Sequence, residues 1–309
     1  MPQLAYDIVD VFTHRPFTGN ALAVVHGAED LDGQQMHAIA REFNLSETTF
    51  PVPVAHGGDY GVRIFTVGGE IPFAGHPTIG TAWVLHGHGR LHAGQVVQEC
   101  GAGAVQVRLP DDRAGLVELA AVPRDQPSGE LPGGRYAEAL GLEEADLVGP
   151  VLAAGCGLTF VHVPVRPDAV GRAVCPRPGD PAITGLPDVR DPVGGVSVYA
   201  VDVATGAVPG AAVGKDPAET GVHARVFCPE VGVAEDPATG SAAAGLGLAL
   251  HEQGLLPEGG RYVISQGAEV GRPSRLSGRV EVVDGAVVRC RVAGQVAQVA
   301  SGRIAVPDR

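Results

Sequence analysis

The chain has no basic run, no C-x-x-C pair and no apolar stretch long enough to span a bilayer. Lys and Arg number 22 against 35 Asp and Glu, a net charge of −13, which makes nucleic acid or an anionic membrane a poor partner. An anionic ligand must then be held by local dipoles or a few Arg. Cysteine is sparse and odd in number, at Cys100, Cys156, Cys175, Cys228 and Cys290. Scattered this way, the five read as reduced thiols of a cytoplasmic protein. The opening stretch MPQLAYDIVDVF lacks a basic region before an apolar core and is interrupted by Asp7 and Asp10, so no secretory leader is expected. What the chain does have is 45% hydrophobic and 18% charged residues over 309 positions, the composition of a globular protein with one large or two ordinary cores. Its 45 glycines point to many tight turns and close backbone approaches.

Read along its length, the chain gives many strands and few helices, an α+β pattern without regular βαβ alternation. AYDIVDVF and ALAVVHG read as strands across the turn-rich THRPFTGN, and LDGQQMHAIAREFN has helical spacing. YAEALGLEEADL reads as a short helix, and VSVYAVDV and ARVFCPEV as strands. Residues 122–150, rich in Pro, Gly and acid near VPRDQPSGELPGG, are the best candidate boundary. The expected domains are 1–121 and 122–295, with 296–309 a candidate to rejoin the first.

Two stretches repeat one another. EIPFAGHPTIGTAWVLHG begins at Glu70 and EDPATGSAAAGLGLALHEQG at Glu235, an offset of 165 that also relates Pro72 to Pro237, Gly75 to Gly240, His76 to Ser241 and Gly80 to Gly245. Upstream, VRIFT (62–66) matches ARVFC (224–228) with a small change of spacing. One strand–turn–helix unit per half indicates a duplicated domain. Both helices are apolar nearly all round and should be buried, each with a sheet wrapped round it. His76 before Pro77, and Ser241, fit the N-cap position, and Gly87 and Gly254 fit the C-terminal stops. Gly80, Gly245 and Gly247 would let strands pack close. A buried helix N-terminus carries free N–H groups and partial positive charge, so two such ends facing one another would accept a small carboxylate where the halves meet.

DVFTHRPFTGNALAVV, NLSETTF, IPFAGHPTIGTA, GVAEDPATGSAAAG and SQGAEVGRPS together resemble the PhzF-like (phenazine biosynthesis) family, in its order, from about residue 7 to 276. The resemblance implies the diaminopimelate epimerase fold: two pseudo-symmetric halves, each a β-barrel-like sheet around a central helix, with the active site in the cleft. It implies a cofactor-independent isomerase of a small cyclic amino-carboxylate, with trans-2,3-dihydro-3-hydroxyanthranilate as reference substrate, and a homodimer. By position it makes Glu47 the general acid/base and His76, Asp236 and Ser241 its partners, with Ser46, Gly75 and Gly240 as backbone or hydroxyl contacts. Diaminopimelate epimerases and proline racemases place one Cys before each helix. Ala74 and Thr239 stand there in this chain, which excludes two-thiol racemisation.

Each residue has a plainer reading too. Glu47 alone would be a solvated turn residue. Within a cleft, desolvation raises a carboxyl's pKa and suits it to acid/base work. His76 and Ser241 fit capping as well as chemistry, Asp236 before Pro237 fits a turn as well as a partner, and Arg272 in VGRPS fits a structural or a cleft-lining role. Ser241 in TGSAA lacks the G-x-S-x-G context of an acyl nucleophile. The histidines of HGHGRLH (His86, His88, His92) fit no metal-ligand spacing and read as a solvated loop. TVGGE and CGAGAV do not lead into a helix, which argues against nucleotide binding.

Overall fold

The computed structural model describes residues 2–123, 130–181, 193–202 and 219–308. The chain divides into two compact units, 1–120 with 293–309, and 121–292. Part of the boundary segment, 124–129, and Val203 at the end of the strand expected over VSVYAVDV lie outside the described residues.

In the first unit, β1 (Gln3–Val11) pairs antiparallel with β2 (Asn20–Val25) on one side. On its other side it pairs with the strand Val296–Ala305. α1 (Gly33–Phe43) follows, opened by a reciprocal cap: Asp32 accepts from the Gln35 N–H at 2.9 Å, and Gln35 Oε1 accepts from the Asp32 N–H at 3.2 Å. It closes at Asn44 in the left-handed conformation (φ 50°). The chain then enters β3 (Glu47–Val52), parallel to β2 with Glu47 opposite Leu22. β4 (Tyr60–Thr66) and β5 (Gly69–Ile71) lead into α2 (Gly75–Gly87), followed by the hairpin β6 (Gly94–Cys100) and β7 (Gly103–Leu109), and by β8 (Val117–Ala121).

The second unit holds α3 (Gly133–Ala139), β9 (Leu152–Gly155), β10 (Thr159–Pro164), the single turn α4 (Pro167–Val170), β11 (Val193–Asp202), β12 (Glu219–Cys228), β13 (Val233–Asp236), α5 (Gly240–Glu252), β14 (Gly260–Gln266), β15 (Ser274–Val283) and β16 (Ala286–Gly294). β10 runs parallel to β11, β12 pairs antiparallel with β11 and parallel with β14, and β14 turns back on β15. The helix expected over YAEALGLEEADL is corrected: α3 starts earlier and stops at Ala139, because Gly141 turns the chain left-handed (φ 67°), and only a 3-10 turn, Glu144–Asp146, follows.

The central helices α2 and α5 are each buried over eleven residues, Gly75 to Leu85 and Gly240 to Leu250. The strands reach them because two glycines carry no side chain. A Cβ on Gly80 would lie 2.6 Å from Leu22 Cδ2, and one on Gly245 would lie 2.7 Å from the Ala154 carbonyl oxygen. The single tryptophan, Trp83, donates from Nε1 to the Arg113 carbonyl (2.9 Å), and the Arg113 guanidinium lies 3.7 Å over its ring.

The helix ends correct the expected caps. Ala74 and Thr239 are the N-cap residues, neither with a side-chain cap, so His76 and Ser241 are the second residues of their helices. Pro77 is accordingly third, where the missing N–H still belongs to the free first turn. Gly87 lies within α2, and the left-handed residue after it is Gly89 (φ 69°), matching Gly254 (φ 71°) after α5. His86 Nδ1 bonds the Leu91 carbonyl at 2.9 Å and His251 Nδ1 the Leu256 carbonyl at 3.0 Å, so both exits are closed in the same way.

The lead-in is duplicated as well. Arg63 holds Glu70 through two hydrogen bonds (2.8 and 2.6 Å), and Arg225 holds Glu235 likewise (3.0 and 2.6 Å). Each guanidinium lies over the aromatic ring two residues on, Phe65 at 5.2 Å and Phe227 at 5.0 Å.

Gly80→Ala and Gly245→Ala are each expected to cost about 1–3 kcal/mol by forcing a methyl into a filled space. Gly89→Ala, which meets open space but keeps a positive φ, is expected to cost roughly 1 kcal/mol. Thermal and urea unfolding of the three variants would show this order; equal tolerance at Gly80 and Gly89 would refute the packing account.

Candidate functional site

In the first unit, three chain segments converge at the start of α2. β3 begins at Glu47 because Asn44 has just ended α1, and the β2–β3 pairing sets Glu47 beside Leu22. Ser46 donates from Oγ to Oδ1 of the buried Asn20 at 3.2 Å, which ties the entry of β3 to the start of β2. His76, on the first turn of α2, brings Nε2 to 3.2 Å from Glu47 Oε2, at ion-pair range but without the alignment of a hydrogen bond.

The two groups are differently exposed. The His76 side chain is 5% exposed and that of Glu47 15%, so the carboxylate is the more accessible of the pair. Burial pushes the His76 imidazole down to about 3, opposed by a hydrogen bond to the Ala21 backbone. The ring is therefore neutral at physiological pH. Nε2 makes no hydrogen bond, which leaves the Ala21 carbonyl to Nδ1–H and presents the Nε2 lone pair to Glu47. Gly75 stands beside His76 as the first residue of the helix, among the N–H groups that have no partner within it.

The second unit carries a different cluster at the corresponding place. Asp236 ends β13, and the Thr239 hydroxyl donates to its Oδ2 at 2.5 Å. Gln266, the last residue of β14, is nearly buried; its Nε2 donates to the Asp236 carbonyl (2.7 Å) and to Thr239 Oγ1 (3.1 Å), and its Oε1 accepts from the Thr239 N–H at 3.4 Å. This knot fixes the turn that delivers Gly240 and the buried Ser241 to the start of α5. Arg272 is half-buried on the loop after β14. Its N–H closes that loop on the Gly267 carbonyl (2.9 Å), and Gly267 packs directly on the Pro237 carbonyl, where a Cβ would lie 2.5 Å away.

The structure thus joins Ser46, Glu47, Gly75 and His76 within one unit, and Asp236, Gly240, Ser241 and the Arg272 loop within the other. Sequence reasoning missed the positioning residues Asn20, Thr239 and Gln266. Gln266 stood in SQGAEVGRPS, and an amide that can both donate and accept was the available signal. The histidines of HGHGRLH separate: His86 caps α2, His88 reaches Asp7, and His92 is exposed.

The family model described as phenazine biosynthesis-like protein, PhzC-PhzF, matches residues 9–302. A trans-2,3-dihydro-3-hydroxyanthranilate isomerase of Pseudomonas aeruginosa is 34% identical over 96% of this chain and 98% of its own length. An uncharacterized isomerase of Mesorhizobium japonicum is also 34% identical, over 97% and 98%. Among solved structures, a PhzF-family protein of Bacillus anthracis superposes with TM-score 0.82 at 23% identity (99% and 100% covered). A predicted epimerase of Pseudomonas aeruginosa gives 0.77 at 31% (97% and 99%). A probable proline racemase of Agrobacterium radiobacter shares the fold, with TM-score 0.64 at 13% identity (98% and 93%).

Burial also lowers the second internal histidine, His162, to about 4. Against an ordinary value near 6.5, the unfolded chain takes up protons that the folded His76 and His162 refuse. Stability is therefore expected to fall as pH drops from about 6.5 toward 4 and on toward 3. Ring proton NMR should show neither histidine titrating between about pH 5 and 8, and a midpoint near 6.5 for His76 would contradict this account of the site.

Proposed function

Because this chain belongs to the phenazine biosynthesis-like PhzC-PhzF family and is an isomerase of that family, we propose that it moves a proton between carbons of a small cyclic amino-carboxylate by acid/base catalysis at Glu47. The observation that carries the reading is the Glu47 carboxylate facing a neutral, buried imidazole at 3.2 Å.

The chemistry follows from the lone pairs. Carboxylate Oε2 and imidazole Nε2 both offer electrons, so one added proton turns their contact from repulsion to attraction. Glu47 takes that proton from a substrate carbon as its C–H bond breaks. A small rotation of the carboxyl group then lines the new O–H up on His76 Nε2, an alignment the ionised pair lacks, and this keeps the proton on Oε2 and away from water. Glu47 delivers it to a second carbon of the same ring and returns to carboxylate. The imidazole stays neutral throughout, since burial disfavours its cation. No redox change occurs, and the atoms balance with one proton moved.

The second cluster is assigned to binding. Within the second unit the Gly240 N–H and the Ser241 hydroxyl suit a carboxylate, with Arg272 proposed for the same role, and Asp236 suits an amino group; within the first unit the Gly75 N–H and the Ser46 hydroxyl are proposed as further polar contacts. The reference substrate is trans-2,3-dihydro-3-hydroxyanthranilate, on which the Pseudomonas relatives are named. The equally similar Mesorhizobium relative is named only as an isomerase, which supports a related unsaturated amino acid as the second reading. The five cysteines are free thiols, and none occupies the N-cap places Ala74 and Thr239, so thiol-dependent epimerisation has no groups to use there.

Turnover of trans-2,3-dihydro-3-hydroxyanthranilate in D2O is to be followed by proton NMR. Glu47→Gln is expected to lower kcat by about 10²–10⁴-fold with binding retained, and His76→Gln by less. Asp236→Asn is expected to act mainly on KM. Wild-type binding without turnover would move the proposal to a related substrate, and full activity of Glu47→Gln would end it.

A further inference from the structure

His88 closes α2, at the opposite end of that helix from His76, twelve residues on and about 18 Å along the axis. There Asp7 of β1, His26 just after β2, and His88 meet. Asp7 Oδ2 lies 2.9 Å from His26 Nε2 and 2.8 Å from His88 Nε2, with the two rings 5.0 Å apart. The three ligand atoms all lie within 4.8 Å of one another. The second Asp7 oxygen, Oδ1, accepts from Gln298 Nε2 at 2.9 Å, and the same amide also donates to the Ala300 carbonyl at 2.9 Å.

Three features separate this cluster from an ordinary surface ion pair. Both imidazoles present the same nitrogen, Nε2, to one point. The carboxylate is buried, 9% exposed, and is oriented from behind by an amide, as outer partners orient metal-binding carboxylates. The third member, His88, is 51% exposed and leaves an entry path with room for water on the open side. The three residues come from separate elements, fixed by the β1–β2 ladder and by the His88 N–H bond to the Val84 carbonyl at 3.0 Å.

We propose that Asp7, His26 and His88 form a site for a divalent transition-metal ion of the imidazole-preferring class, for which Zn²⁺ is the probe. Two imidazoles and one carboxylate suit Zn²⁺, with water completing the shell. Bonds of about 2.0–2.1 Å hold tetrahedral ligand atoms roughly 3.3 Å apart, so Asp7 has to move back from each ring by a few tenths of an ångström. Each imidazole binds through its Nε2 lone pair, so the proton it shows Asp7 in the metal-free state shifts to Nδ1. The ion ties β1, the end of β2 and the exit of α2 together, and it lies too far from Glu47 and His76 to enter their chemistry.

Chelator-treated, dialysed protein is to be titrated with zinc chloride at about pH 7.5 by calorimetry, and with cobalt(II) by visible absorption. The expected result is one saturable site per chain, a cobalt spectrum of nitrogen and oxygen ligation, and a Tm raised by zinc. His88→Gln and His26→Gln are expected to weaken binding more than tenfold, and Gln298→Ala by about 10-fold. His92→Gln, at an exposed neighbour outside the cluster, should leave it unchanged. His88 is half in solvent, so its variant folds, and the zinc-dependent rise in Tm should vanish in it. No binding at about 1 mM zinc, or binding that survives in both His88→Gln and His26→Gln, overturns the proposal.

Discussion

A helix buried along its length still leaves the N–H and C=O groups of its two ends to be satisfied, and each unit is built to meet that demand. The exits of α2 and α5 are closed by protein: a left-handed glycine, and a histidine in the last turn that reaches a carbonyl five residues on. The starts are treated differently. Neither N-cap residue uses its side chain as a cap, so the first-turn N–H groups stay available, and the candidate site residues gather round them. The polar residues that look misplaced beside an apolar run mark the buried end of each helix, where first-turn N–H groups call for polar neighbours.

The repeat governs far more than the two helices, at an offset of 165 residues from Glu70 and Glu235 onward and of 162 for the Arg and aromatic ring before them. The Arg–Glu pair with its aromatic ring, the N-cap residue, the glycine under the sheet, the exit histidine and the left-handed glycine all recur in both units. The duplicated parts are those that hold a helix in a sheet. The parts that differ, His76 against Ser241 and the Ser46–Glu47 side of the first helix start against the Asp236–Thr239–Gln266 knot of the second, are those to which the proposed function gives chemistry. A shared scaffold with divergent helix starts leaves room for the proton carrier proposed in one unit and the rigid polar corner of the other.

Much of this was legible in the residues. The apolar helices, their register, and the glycines at Gly80, Gly245 and Gly247 could be read from periodicity and spacing, because burial imposes them locally. The caps were misread by two residues. Pro77 suits a first helical position but is equally tolerated in the third, and nothing in GHPTIG distinguishes the two. The α3 region was read as too long, since one glycine outweighed a favourable run of Ala, Glu and Leu. The Asp7–His26–His88 meeting was invisible. HGHGRLH holds one of its three members, and the other two arrive through strand pairing and across a helix, contacts that no local spacing records. Thr239 and Gln266 were missed for the same reason: their role exists only once β14 lies beside the turn before α5.

The strand Val296–Ala305 pairs along the whole of β1, from Gln3 opposite Ala305 to Val11 opposite Val296, and the Val306 N–H adds a bond to the Pro2 carbonyl at 3.0 Å. On the ribosome this reverses the usual order. The half that is synthesised first must wait with β1 open on one side, while the half that follows is continuous in sequence and can close completely. β1 is therefore the last strand of its unit to be sealed, and it is the one that most needs shielding from other unpaired strands during synthesis.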